Sequence, residues 1–325
     1  MNQAVFPASG NETKHLIATR QLTGIHAATV CALRQNFEID EAALAMHVQK
    51  VTHGTGVQGL LINGHAGENY LLTREEKRRV TEVCRSALGS DVFLTSGVNS
   101  ESSLEAAQHA RDQQDAGANA ILLFPPNSWG LFQDVEAAVI HHRHVAAATS
   151  LPILLYQAPV GAGQMPYKPA TLAQLVSIPG VIGIKEGSWE VATYEENRRI
   201  VKALRPDLAV LASGDEHLLA SYMIGTEGSQ VSLAAITPEP VVALWKAATI
   251  GNWEEARHWH DVLYPLAVAI YRTTGGRATP RLKACLKILG RLDCDAARPP
   301  FMPLPVEEYR QLERALNHVL DAGSP

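Results

Sequence analysis

Residues 174–188 read QLVSIPGVIGIKEGS: the end of an amphipathic segment, a turn, a β-prone run and a glycine-containing loop. Pro179-Gly180 makes the turn, since proline fixes φ and glycine admits backbone conformations that other residues avoid. Val181, Ile182 and Ile184 follow without polar alternation, the pattern of a short strand buried on both faces. Lys185 ends that run, although lysine is among the residues least often fully buried. Either it reaches solvent at the strand's end, or the chain holds an amine in an apolar pocket.

The same unit recurs. Residues 47–68 (HVQKVTHGTGVQGLLINGHAGE), 108–128 (QHARDQQDAGANAILLFPPNS) and 146–159 (AAATSLPILLYQAP) each pass from a helix-like segment through Gly or Pro into four to six β-prone residues. The strands expected are Ile25–Val30, Gly59–Ile62, Val92–Thr95, Ala120–Phe124, Ile153–Tyr156, Ile182–Lys185, Ala209–Ala212 and Ser229–Leu233. Thr73-Arg-Glu-Glu76 and Ser102-Ser-Leu-Glu105 fit the capping box that opens a helix. Strands alternating with helices imply parallel pairing, and eight such units imply an α/β fold, a closed (β/α)8 TIM barrel. An open doubly wound sheet is the competitor, but no G-x-G-x-x-G follows the first strand. Past Thr237 the strand signals stop. The expected organisation is an N-terminal arm (1–21), the barrel (22–236), and a last barrel helix with a C-terminal helical extension (237–325).

Composition limits the function. The chain has 325 residues, 46% of them apolar, and a net charge of −5 with both signs interspersed. That distribution predicts no nucleic-acid partner and no affinity for an anionic membrane surface. No apolar run approaches the ~20 residues of a membrane span. The start lacks a basic segment followed by an apolar stretch, so no secretory signal is expected. Cys31, Cys84, Cys285 and Cys294 lack metal-ligand spacing, which suggests reduced thiols and a cytoplasmic protein. His141, His142 and His144 have no adjacent carboxylate ligand and are expected on a solvated helix face. No metal and no cofactor is expected.

In such a barrel the active site lies past the C-terminal ends of the strands. The polar residues there are Gly64-His-Ala-Gly-Glu68, Asn127 and Ser128, Tyr156 and Gln157, Lys185 and Glu186, Gly214 and Asp215, and Gln230 with Ser232. A lysine in a low-dielectric site loses basicity and becomes a nucleophile toward a ketone. A tyrosine hydroxyl on the adjacent strand can shuttle the proton to the carbinolamine oxygen. The glycine loop at 64–68 offers backbone amides to a carboxylate. Glu68 reads as a buried carboxylate bonding loop amides.

Taken in order, GHAGE before LLTREEK, Tyr156-Gln-Ala-Pro159, Gly183-Ile-Lys-Glu186 and Ser213-Gly-Asp215 resemble the dihydrodipicolinate synthase/N-acetylneuraminate lyase superfamily, over about residues 22–300. The resemblance implies a barrel with a helical C-terminal extension, usually a homotetramer (a dimer of dimers) and otherwise a homodimer. It implies a Schiff base with pyruvate or a related 2-keto acid, with an aldehyde of unknown identity as partner. By that likeness Lys185 is the Schiff-base lysine and Tyr156 the catalytic hydroxyl. His65 and Ala66, following Gly64, hold the keto-acid carboxylate, and Gln230 closes the site by its main chain.

The departures are as informative. A threonine of the synthases is His65 here, and a tyrosine lent across a subunit interface is Asn127. His65, with an ordinary pKa near neutrality, either substitutes for the missing relay or packs beside the loop with only its amide engaged. The arginine that grips the aldehyde's carboxylate is replaced by Gly161, a loss of about 1.5–3 kcal/mol of charge-assisted contact. Arg272, Arg277 and Arg281 are the candidates for a distant anion contact, although such a cluster more often decorates an interface or a helix start. The expectation is a Schiff-base lyase or aldolase other than a lysine-pathway synthase. The alternatives are a keto-deoxy sugar acid dehydratase using the same lysine, and a keto-acid-binding barrel without efficient turnover.

Overall fold

The structure is a computed structural model and describes residues 21–271 and 278–323. Except for residue 21, the expected N-terminal arm lies outside these residues, as do Arg272 and Arg277.

Eight parallel strands close in sequence order, with β1 pairing both β2 and β8. They are β1 (Gly24–Ala28), β2 (Gly59–Ile62), β3 (Phe93–Val98), β4 (Ala120–Leu123), β5 (Ile153–Gln157), β6 (Val181–Glu186), β7 (Ala209–Ala212) and β8 (Gly228–Val231). The expected (β/α)8 barrel is therefore the fold, with strand ends differing from the sequence reading by up to three residues. Each strand is buried on both faces, which explains why these segments lack alternation. Outward residues such as Leu60, Ile121, Leu155 and Val210 join the core beneath the helices. Inward residues, among them Leu61, Phe93, Leu122, Leu154 and Leu211, fill the barrel.

The helix starts follow from local chemistry. Thr73 accepts from the Glu76 amide at 3.2 Å while the Glu76 carboxylate accepts from the Thr73 amide at 2.8 Å, a complete capping box. At Ser102 only half of the expected box forms: the hydroxyl caps Glu105, but the Glu105 carboxylate turns to the Ser100 hydroxyl at 2.6 Å. The expected solvated histidine face also needs correction. His141 and His142 are 2% and 1% exposed, packed against Trp129 and Tyr167, and only His144 faces water. Burial pushes their pKa values down to about 4 and about 3, so both are neutral packing groups.

Close backbone approach fixes one glycine. A Cβ at Gly97 in β3 would lie 2.0 Å from the Asn63 carbonyl oxygen. Gly97→Ala is expected to destabilise the barrel by about 1–3 kcal/mol through overpacking. A lowered urea midpoint would register it, and an unchanged midpoint would refute the contact.

Beyond β8, helix Pro238–Thr249 packs against β1 and helix Leu218–Ile224. Helices Trp253–Tyr271, Ala278–Ile288 and Val306–Ala322 then pack on one another. Arg281, 1% exposed, bonds Glu308 at 2.9 Å and the Ile270 carbonyl at 2.9 Å, which ties this region together. Arg281 therefore serves helix packing and not a distant anion contact. Among the described residues, no helix is long and apolar enough to cross a membrane.

Candidate active site

A cavity of about 790 Å³ opens at the C-terminal ends of the strands. Its floor and inner wall include Ala28, Leu61, Phe124, Tyr156, Lys185 and Gln230. Its rim includes His65, Ala66 and Tyr70 after β2, Asn127 after β4, and Trp189 after β6. Ser213, Asp215 and Ser232 complete the barrel's share. The C-terminal region adds Tyr271, Thr279 and Leu282.

Lys185 and Tyr156 are register partners on β6 and β5, with the lysine Nζ 5.9 Å from the phenol ring centre. Apolar surroundings push the Lys185 pKa down to about 8, with the Asp215 carboxylate opposing. Burial, and next the charge of Glu186, push the Tyr156 phenol up, which keeps it protonated at neutral pH. The Asp215 carboxyl is raised by burial, although the Leu233 amide donates to it at 2.8 Å. Gly187, just past the lysine, leaves no room for a side chain: a Cβ would lie 2.7 Å from the Gln157 carbonyl oxygen.

His65 sits within an aromatic cluster, 4.6 Å from Phe124 and 5.2 Å from Tyr156 between ring centres. Desolvation first and the Lys185 charge second push its pKa down to about 4. It is therefore neutral at physiological pH, which favours the packing reading of the two offered by the sequence. Its backbone and that of Ala66 open a short 3-10 turn, His65–Gly67, where no preceding turn supplies acceptors for their amides.

That turn is pinned from the far end of the chain. Thr279 donates to the His65 carbonyl at 3.1 Å. Glu68, fully buried, pairs with the equally buried Lys283 and accepts the Arg298 amide at 2.8 Å. Lys283 also donates to the Ala296 carbonyl at 2.7 Å. Glu68 is thus a structural carboxylate, as expected, but its partners are a distant lysine and a distant amide rather than its own loop.

Of the residues singled out from sequence, Lys185, Tyr156, His65, Ala66, Asn127 and Gln230 come together around the cavity. Gly64 and Gly214 do not line it; each stands beside residues that do. The Gln230 side chain reaches toward Thr95 at 3.5 Å, so its amide as well as its main chain faces the barrel interior. Asn127 is held through its amide, which donates to Glu101 at 2.8 Å. Gly161 is off the wall, and a Cβ there would meet nothing within 4 Å. Sequence reasoning missed Tyr70, Trp189, Tyr271 and Thr279. The first two lie in loops after strand ends and were open to notice, but the last two sit in helical segments with no catalytic pattern. Among the described residues, no group of His, Cys, Asp and Glu is arranged to hold a metal ion.

Residues 21–319 match the dihydrodipicolinate synthetase family. The chain belongs to that family. The 4-hydroxy-tetrahydrodipicolinate synthase of Phenylobacterium zucineum is 32% identical over 281 residues, covering 86% of this chain and 91% of the relative. An uncharacterized DapA-like lyase of Halobacterium salinarum is 30% identical over 295 residues, covering 91% and 93%. Among solved structures, YagE, an E. coli prophage protein of this family in complex with pyruvate, superposes with a TM-score of 0.85 at 25% identity, over 92% of this chain and 98% of that one. A dihydrodipicolinate synthase from Thermotoga maritima shares the fold with a TM-score of 0.84 at 22% identity, over 92% and 99%. Family membership agrees with the order of motifs, from the GHAGE loop through Lys185 to Asp215.

Proposed function

We propose that this family member is a Schiff-base lyase or aldolase that takes pyruvate or a related 2-keto acid on Lys185, with an aldehyde as partner. The observation that carries the reading is an amine of depressed basicity beside a protonated phenol, in a cavity walled by aromatic carbon.

The neutral amine attacks the C2 carbonyl to give a carbinolamine. Tyr156 passes a proton to the hydroxyl, which leaves as water, and the iminium forms. The iminium draws electrons from the C3–H bond; the Tyr156 phenolate takes that proton to give an enamine, whose C3 attacks the aldehyde carbon while the phenol returns the proton to the aldehyde oxygen. Water then releases the product and regenerates the amine. In the reverse direction the same iminium accepts the electrons of the breaking C3–C4 bond.

The His65 and Ala66 amides are assigned to the keto-acid carboxylate, with Gly64 setting their turn. Asn127 and Gln230 are assigned to substrate contact, and Gly214 to the placing of Ser213 and Asp215. We assign the protein to the cytoplasm and to a homotetramer or homodimer. Self-association is supported by Leu104, Leu131 and Phe132, which are 66%, 90% and 70% exposed.

Borohydride added with pyruvate is expected to leave a reduced adduct on Lys185, located by peptide mass spectrometry. No adduct at saturating pyruvate would sink the proposal, and an adduct without turnover of any aldehyde would favour a binding protein. Tyr156→Phe is expected to slow adduct formation by about 10²–10⁴-fold. An unchanged rate would remove the phenol from the mechanism.

A further inference from the structure

Four non-glycine residues among those described have positive φ: Phe37, Asn63, Glu68 and Trp189. Asparagine tolerates this region, and Phe37 lies in an exposed turn away from the cavity. Glu68 is held there by its buried ion pair. Trp189 is different. It is the bulkiest of the four, its φ is +60°, and its side chain is part of the cavity wall. A bulky residue in this region is an outlier, and such strain persists only where the surroundings over-determine it.

The surroundings do so. Ser188, fully buried, donates its hydroxyl to Glu186 at 2.9 Å, and its carbonyl accepts the Val160 amide at 3.0 Å. The other Glu186 oxygen accepts from Asn197 at 2.9 Å. The indole packs on Tyr271, which lines the same cavity, 4.9 Å between ring centres, with His217 edge-on at 6.3 Å. The backbone before Trp189 is latched, and the ring is braced by these two neighbours. Neither arrangement is needed to close the barrel, because the residue lies in the loop beyond β6.

We propose that Trp189 is the specificity-determining residue for the acceptor aldehyde, presenting its indole to a flat apolar face on that substrate. The assignment rests on the Schiff-base reading of Lys185. Trp189 stands four positions beyond the lysine, in the loop that follows β6. A substrate joined to Lys185 at its keto carbon must extend outward toward the cavity mouth, and the indole flanks that route. Large aromatic surfaces bury much area with little loss of conformational freedom, which suits them to selecting flat groups. Glu186 acts through Ser188 as a positioning residue for the same loop.

The test uses Trp189→Gly and Trp189→Phe with pyruvate and two probe aldehydes, benzaldehyde and glyceraldehyde. Glycine removes the ring and is at home at this φ. Trp189→Gly is expected to lower kcat/KM for benzaldehyde at least tenfold more than for glyceraldehyde, and Trp189→Phe to retain most of the preference. Borohydride trapping of pyruvate on Lys185 should be unchanged in both variants, and the melting temperature of Trp189→Gly should stay within a few degrees of the parent. Equal losses on both aldehydes, or wild-type turnover of neither, would overturn the proposal. So would a collapse in melting temperature, which would mark a packing residue. Absence of the pyruvate adduct in the parent protein would instead overturn the Schiff-base reading itself.

Discussion

Lys185→Met is expected to abolish borohydride-trapped pyruvate and to lower kcat by about four orders of magnitude or more, since removing a covalent nucleophile leaves only binding and orientation. Methionine approximates the length of the stem, so the apolar wall stays filled and the melting temperature should change little. The pH dependence follows from the amine. Its pKa is depressed from the ordinary 10.5 to about 8, so below pH 8 the ammonium form dominates and cannot attack a carbonyl. Adduct formation should therefore rise about tenfold per pH unit between pH 6 and 7 and level off above about pH 8. A rate still climbing at pH 10 would show that the cavity does not depress the amine. Titration of His65 should leave no mark near neutrality, because its pKa is about 4.

The second large effect concerns a residue far from the chemistry. Lys283→Met leaves Glu68 buried without its countercharge, and breaking such a pair from one side costs about 3–5 kcal/mol. For a chain of this size that corresponds to a fall in melting temperature on the order of 10 °C. Replacing both partners, as in Glu68→Leu with Lys283→Met, removes the uncompensated charge and should recover much of the loss. Thermal denaturation of the single and double variants decides it, and equal melting temperatures for all would show that the pair is idle. Since Glu68 follows directly on the His65 turn, the single variant should also weaken pyruvate trapping at low pyruvate concentration.

Much of this architecture was legible because parallel barrel strands announce themselves. GLLI and AVLA, at 59–62 and 209–212, match the observed β2 and β7 to the residue. Lys185 and Tyr156 could be paired from sequence because strand order fixes which ends are neighbours. What stayed hidden depends on contacts between distant segments. Helical periodicity shows that residues 278–288 bury a face, but not that Thr279 and Lys283 grip a loop more than 200 residues earlier. It likewise gave no reason to withdraw His141 and His142 from water, since burial there comes from Trp129 and Tyr167 on neighbouring segments. The basicity of His65 was misjudged for the same reason: residue type supplies a reference value, and the surrounding rings move it.

The grip of Thr279 and Lys283 on the 64–68 loop also orders events in time. During synthesis at the ribosome, all eight strands and helix Pro238–Thr249, which packs on β1, emerge before the C-terminal helices, so the barrel can close ahead of them. At that stage Lys185 is in place, but the loop assigned to the substrate's carboxylate has only its own backbone bonds and lacks the contacts of Thr279, Lys283 and Arg298. Contacts spanning so much chain form late, because the intervening entropy must be given up first. A nascent chain stalled once helix Pro238–Thr249 has left the ribosome, but before residues 279 to 298 have, would therefore be a folded but incompetent barrel, and competence would appear only as those residues emerge.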